Sequence, residues 1–337
     1  MLVASCAPLS AAYDVALLDL DGVVYVGPAA VPGAAEALAA AARDGMRLAF
    51  VTNNASRTPS SVAQHLGELG VPATVEQVVT SAQAAARLVA EQVPAGSPVL
   101  VVGGEGLVVA LGERGLRAVG SADDGPVALV QGFAPEVGWR QLAEGALALQ
   151  RGVPWIASNV DRTIPTPRGL APGNGTLVEV LRLATGREPV VAGKPELPLH
   201  AEAVARTSAE RPLVVGDRLD TDIEGAVRAG TPSLLVLTGV TGAAELLGAG
   251  PQHRPSYLGA DLGALLEPHA APALEGDRAS LGGWDAHLEH GVLRVTGTGD
   301  PLDALRAACA AAWSSEGGVD RIDAPPAAQL PAAPVRG

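Results

Sequence analysis

The chain has 337 residues, a formal net charge of −13, 48% apolar residues and 18% charged residues. That length suggests two or three domains, and the apolar share is enough to bury a sizeable core and argues against global disorder. An acidic surface disfavours nucleic-acid and anionic-membrane partners, so any phosphate site must supply local positive charge from a metal ion or a lysine. Aromatics are only 3% of the chain, which leaves Ala, Val, Leu and Gly to pack closely layered helices and sheets. Every long apolar run is broken well short of the ~20 residues a membrane span requires. The start, Leu2-Val3-Ala4-Ser5-Cys6, has the look of a lipoprotein cleavage box but lacks a basic leader and a long apolar run. Cys6 and Cys309 form no Cys-x-x-Cys pair, which reads as two free thiols in a reducing cytoplasm.

Along the chain, short continuous apolar runs predict strands at 15–20, 47–52, 99–102, 127–130, 155–157, 213–215 and 233–237. Ala-rich stretches between them, at 33–43, 59–69, 82–92, 139–150, 174–184 and 197–207, have helical spacing. Buried strands alternating with helices indicate an α/β fold: a doubly wound parallel sheet covered on both faces, with right-handed crossovers. After about residue 268 the pattern changes. Strands at 284–288 and 292–296 around His290-Gly291 predict a hairpin, and Asp300 with Pro301 starts a helix that reaches about Trp313. A small C-terminal ββα appendage is expected over 273–324, and a disordered Pro-Ala-rich tail over 325–337. Gly103-Gly104-Glu105-Gly106 is not a dinucleotide loop, since Val109 stands where the third glycine is needed. The six histidines are scattered and read as non-ligands.

In parallel sheets, ligands gather beyond the carboxyl ends of the strands. Asp19, Thr52 and Asp217 each follow an apolar run, and Lys194 follows Val190-Val191-Ala192. Asp19-Leu20-Asp21-Gly22 puts two carboxylates two residues apart, costly unless a cation such as Mg²⁺ binds. Gly216-Asp217-Arg218-Leu219-Asp220-Thr221-Asp222 is a second acidic strand end, in which Asp220 or Thr221 could instead cap a helix. Thr52-Asn53-Asn54-Ala55-Ser56 can cradle an oxyanion, or be an ordinary turn with Ser56 or Thr58 as a cap.

The order Asp19-Leu20-Asp21-Gly22-Val23-Val24-Tyr25, Thr52-Asn53-Asn54-Ala55-Ser56, Gly193-Lys194-Pro195, Gly216-Asp217-Arg218-Leu219-Asp220-Thr221-Asp222-Ile223 resembles the haloacid dehalogenase superfamily phosphatases. Ser158 to Arg162 and Pro172 to Thr176 resemble the large cap of the p-nitrophenylphosphatase and phosphoglycolate phosphatase branch, subfamily IIA, and the cap loop is similar to bacterial members associated with glycerol phosphate or phosphoglycolate. The resemblance covers about residues 13–266. It implies a phosphatase core at 13–89 and 188–268, with a cap and substrate-specificity domain at 90–187. It also implies an Mg²⁺ cofactor, Asp19 as the nucleophile forming an aspartyl-phosphate, and Asp21 as general acid and base. Thr52, Asn53 and Lys194 would serve the phosphoryl group. Asp19, the Asp21 carbonyl, Asp217 and Asp222 would serve the metal, and Asp161, Arg162 and Thr163 the substrate.

Asp21 must then hold a proton, so burial and the neighbouring acid are expected to raise its pKa. Pro165 and Pro167 should stiffen the cap loop. Under a large cap, the expected partner is a small phosphorylated metabolite. Glycerol 3-phosphate leads, with phosphoglycolate or another small monoester next. A phosphomutase on the same core and a non-catalytic, receiver-like phosphate sensor are the alternatives. The sequence leaves a homo-oligomer open.

Overall fold

The computed structural model describes residues 1–166, 168–314 and 318–329. Pro167 and the last eight positions of the expected disordered tail fall outside the described residues. The chain divides into two compact units, one of residues 1–48, 69–71 and 209–337, the other of residues 49–68 and 72–208.

In the first unit, Val15–Leu18, Pro212–Gly216, Ser233–Val236 and Tyr257–Gly259 lie side by side in that order, all parallel. The strand Val15–Leu18 is buried along its whole length, as are Ser233–Val236 and Tyr257–Gly259. That is why 15–20 and 233–237 read as continuous apolar runs rather than as alternating ones, whereas Tyr257–Gly259 was not foreseen. Helices Ala34–Arg43 and Glu224–Ala229 pack in the same unit.

The C-terminal region of this unit is larger than the expected ββα. Strands Ala273–Glu275, Arg278–Leu281, Trp284–Glu289 and Val292–Gly297 form an antiparallel meander, and Arg321–Asp323 adds parallel to Val292–Gly297 after the helix Pro301–Trp313. The hairpin turn is His290-Gly291, both at positive φ, the backbone a two-residue turn requires. Asp300 caps the helix, its carboxylate accepting the Leu302 N–H at 2.9 Å. The sheet alternates: Trp284, Ala286, Leu288, Leu293 and Val295 point into the core while Asp285, Glu289 and Arg294 face outward. Ala304, Ala307, Ala308, Ala311 and Cys309 are buried on the helix, and their small side chains let it sit close to the sheet. Burial pushes the Cys309 thiol far up, so it packs as an apolar group. Within the segment expected to be disordered, Pro326–Ala328 forms a short helical turn with Ala328 buried.

The second unit contains a five-stranded parallel sheet in the order Val190–Val191, Trp155–Ala157, Ala128–Gln131, Pro98–Val102, Arg117–Val119. Helices Trp139–Gln150 and Asn174–Thr185 share an apolar core with this sheet through Leu149, Val178 and Leu181. Gly104 precedes the helix Glu105–Glu113. A side chain at Gly106 would collide with the carbonyls of Ala55 and Arg57, so these glycines serve close packing. A separate hairpin joins Thr163–Thr166 to Gly169–Pro172. Phe50 to Thr52 pairs in parallel with Val78–Thr80, a three-residue strand too short to announce itself in the sequence.

Candidate active site

In the first unit, the sheet itself brings the acids together. Leu18 lies opposite Val215 in the parallel ladder, and the Asp19 N–H extends that ladder to the Val215 carbonyl at 2.8 Å. Asp19 and Asp217 therefore leave neighbouring strands at the same, carboxyl end. Asp222 arrives on the wide helical turn Leu219–Ile223. Carboxylate oxygens of Asp19, Asp217 and Asp222 all lie within 4.8 Å of one another. Asp217 and Asp222 are fully buried, and Asp19 is half-buried.

Gathering carboxylates is costly, and the backbone offsets part of that cost. The Val240 N–H donates to Asp217 Oδ2 at 2.6 Å, and the Arg218 N–H donates to Asp222 Oδ2 at 3.2 Å. Glycines leave room for the acids. A Cβ at Gly216 would overlap Asp222, and one at Gly22 would overlap Asp217. Gly22 also has φ +84°, which turns the chain sharply after Asp21. Three carboxylates of which two are buried form an all-oxygen donor set, and it fits a hard divalent cation such as Mg²⁺. Asp220 is engaged elsewhere, by the Arg218 guanidinium at 3.0 and 2.8 Å. Neither Asp220 nor Thr221 caps a helix: Glu224–Ala229 starts without a side-chain cap, because the preceding turn already runs helically into it.

Asp21 is exposed. Burial, one of the two causes expected to raise its pKa, is therefore absent. The turn after it closes by the Gly22 N–H donating to the Tyr25 carbonyl at 2.8 Å.

In the second unit, Thr52 ends its strand and is buried. Its Oγ1 accepts the Asn54 N–H at 3.1 Å. Asn54 Oδ1 in turn accepts from the N–H groups of Ser56 and Arg57 at 2.9 and 3.2 Å, and Thr58 caps the following helix. Asn53 is the hub. Its Oδ1 accepts the Lys194 N–H at 2.8 Å, and its Nδ2 donates to the Lys194 carbonyl at 3.1 Å and to the Asp161 carboxylate at 3.3 and 3.4 Å. Lys194 Nζ lies 3.4 Å from the Val51 carbonyl. A side chain at Gly193 would strike Asn53 Oδ1 and the Ser158 carbonyl, so glycine is needed for the lysine segment to approach. Arg162 and Thr163 are exposed, and Asp161 is half-buried.

Several supporting residues escape sequence reasoning. Asn159 Nδ2 and Ser81 Oγ both donate to the Asn53 carbonyl, at 2.7 and 2.6 Å, and Asn174 Nδ2 donates to the Asn159 carbonyl at 2.7 Å. Gly173 and Gly175 lie tight against the backbone of residues 160–162. The only signal in the sequence was that Asn159 and Asn174 lie inside the two quoted cap motifs.

Comparison with known proteins fits this arrangement. A haloacid dehalogenase-like hydrolase model matches residues 16–117, and a HAD-hydrolase-like model matches residues 191–265. The D-glycerol 3-phosphate phosphatase of Mycobacterium tuberculosis is 47% identical over 312 residues, covering 90% of this chain and 86% of that protein. The chain belongs to the haloacid dehalogenase-like hydrolases. A crystal structure of a glycerol phosphate phosphatase from the same organism, in complex with magnesium, superposes with a TM-score of 0.86 at 46% identity and covers 94% of both chains. The p-nitrophenyl phosphatase of Archaeoglobus fulgidus superposes with a TM-score of 0.70 at 30% identity, covering 75% of this chain and 98% of that one. This places the chain in the p-nitrophenylphosphatase branch of the superfamily. Residues 281–330 separately match a GCN5-related N-acetyltransferase-like model, a likeness the sequence reading did not contain.

Proposed function

We propose that this chain is an Mg²⁺-dependent phosphatase that hydrolyses D-glycerol 3-phosphate through an aspartyl-phosphate on Asp19. The convergence of Asp19, Asp217 and Asp222 within 4.8 Å at the strand ends carries this reading. The substrate is taken from the 47% identity to the M. tuberculosis D-glycerol 3-phosphate phosphatase over most of both chains.

Asp19, the Asp21 carbonyl, Asp217 and Asp222 would hold the cation. When bound, the ion would offset the charge of the phosphoryl oxygens. In the first step an Asp19 oxygen attacks phosphorus, the ester P–O bond breaks, and Asp21 gives its proton to the departing glycerol oxygen. In the second step Asp21, now a carboxylate, takes a proton from water. The resulting hydroxide attacks phosphorus and returns Asp19 and inorganic phosphate. Taking that proton restores Asp21 to its acid form for the next turnover. Thr52 accepts with its oxygen from Asn54 and keeps its hydroxyl proton to donate to a phosphoryl oxygen. Lys194 supplies positive charge to the same group, and Asn53, by gripping both sides of the Lys194 peptide, sets where that lysine stands. Residues 90–187 act as the cap, with Asp161, Arg162 and Thr163 meeting the glycerol end of the substrate.

No helix among the described residues is long and apolar enough to cross a membrane. With Cys6 and Cys309 both free, we assign the enzyme to the cytoplasm.

The test is phosphate release from a panel of small monoesters, with Mg²⁺ and with chelator. D-glycerol 3-phosphate is expected to be the best substrate, and chelator to abolish turnover. Equal activity on all monoesters would remove the substrate assignment, and full activity in chelator would remove the metal.

A further inference from the structure

The segment Leu237-Thr238-Gly239-Val240-Thr241 follows the strand Ser233–Val236 and contains no charged side chain. Of this segment, the roles assigned above use only the Val240 amide. Yet it touches both acid-bearing loops of the first unit. Thr238 Oγ1 donates to the Gly22 carbonyl at 2.5 Å, in the turn that follows Asp19 and Asp21. Two residues on, the Val240 N–H donates to Asp217 Oδ2 at 2.6 Å, and the Thr241 N–H donates to the Asp217 main-chain carbonyl at 3.1 Å. Between these contacts Gly239 packs so closely that a side chain there would overlap the Asp217 carboxylate. Val240 is 65% exposed, so that position serves through its amide.

We propose that Thr238 is a positioning residue for the metal site. Its hydroxyl ties the segment to the Gly22 turn, and this fixes the Val240 amide on one oxygen of Asp217. The carboxylate is then held in one orientation before the cation arrives. A charge-assisted N–H to carboxylate bond is among the stronger hydrogen bonds, and a ligand already oriented loses less freedom on binding. Without the Thr238 tether, the amide drifts from Asp217 and metal binding must also order the loop. The inference rests on the phosphatase reading above and deepens it.

The experiment measures Mg²⁺ affinity directly, by calorimetry on the full chain, for native protein, Thr238→Val and Thr238→Ser. Valine keeps the shape and removes the hydroxyl, while serine keeps the hydroxyl. Thr238→Val is expected to bind Mg²⁺ ~10-fold or more weakly, in the range typical for loss of a residue that orients a metal ligand. Thr238→Ser should stay within about threefold of native, as the donor is retained. Gly239→Ala, which drives a methyl against the Asp217 carboxylate, should weaken Mg²⁺ binding as well, and it serves as the readout should Thr238→Val fail to fold. Native-like affinity in Thr238→Val, or an equal loss in Thr238→Ser, would overturn the proposal. So would native-like affinity in Gly239→Ala. Phosphate release by native protein is followed in parallel. If native protein binds Mg²⁺ and turns over while Thr238→Val binds equally well, the tether alone is wrong. If native protein neither binds Mg²⁺ nor releases phosphate, the phosphatase reading falls and takes the tether with it.

Discussion

The buried strand Val15–Leu18 is flanked by an acid at each end, and the two acids are treated in opposite ways. At the amino end, the Asp14 carboxylate accepts the N–H groups of Arg211 and Glu210 at 2.7 and 3.0 Å and pairs with the Arg47 guanidinium at 2.8 Å. Partial burial alone would raise its pKa, but these donors outweigh it and hold the carboxyl below its usual value. At the carboxyl end, Asp19 shares a 4.8 Å neighbourhood with Asp217 and Asp222. One acid takes up the backbone and guanidinium donors that join neighbouring segments, and the other stands beside two further acids. In a parallel sheet the segment entering the next strand offers N–H groups at the amino end, whereas the carboxyl end opens into loops that can collect ligands. The difference separates an acid that ties strands together from the one proposed to do the chemistry.

Predictions that would break or sharpen this contrast run from the largest effect downward. Asp19→Asn should lower phosphate release by roughly 10³-fold or more, since it removes the proposed nucleophile. Its thermal midpoint should hold or rise, because one of the crowded charges is gone. Full activity in Asp19→Asn would end the assignment of Asp19. Asn53→Ala should cost about 10–100-fold in kcat/KM, the scale expected when a residue that orients a reacting group is lost. A near-native value would mean that the Lys194 segment holds its place without Asn53.

Asp14→Asn should show the reverse pattern to Asp19→Asn. It should destabilise the protein by about 1 kcal/mol in urea unfolding, a modest figure because water and the half-exposed Arg47 partner screen the charge. Phosphate release should be unchanged. A large loss of activity would erase the distinction between the two ends of the strand. The smallest effect is a pH dependence. The folded-state pKa of Asp14 is depressed, so its contribution is present above the unfolded-state value of about 4 and is lost as pH falls through the lower folded value. The gap in urea midpoint between native protein and Asp14→Asn should therefore be constant at neutral pH and close in acid. A gap that widened in acid would assign the stabilisation to another group.

Much of this was legible in the chain. Segments 47–52, 155–157, 139–150 and 197–207 match the observed Arg47–Thr52, Trp155–Ala157, Trp139–Gln150 and Leu197–Thr207 end for end, because local periodicity and flanking turn residues dominate there. The hairpin around His290-Gly291 and the helix starting at Asp300-Pro301 were readable for the same reason. Strands Val78–Thr80, Arg117–Val119 and Arg321–Asp323 were not. Three residues show no period, and each of these strands exists because a longer strand beside it supplies the hydrogen bonds. The C-terminal five-stranded sheet grew from the expected two strands in this way.

Residue type and order by themselves determined that acids, a threonine and a lysine sit just after apolar runs, and hence which chemistry to look for. They did not determine how those acids are held. The Val240 amide on Asp217, the Thr238 hydroxyl on Gly22, and the exposure of Asp21 are contacts and surroundings set by segments about twenty to over two hundred residues away. Backbone donors look the same at every position of a sequence, so only tertiary structure decides which carboxylate each of them reaches.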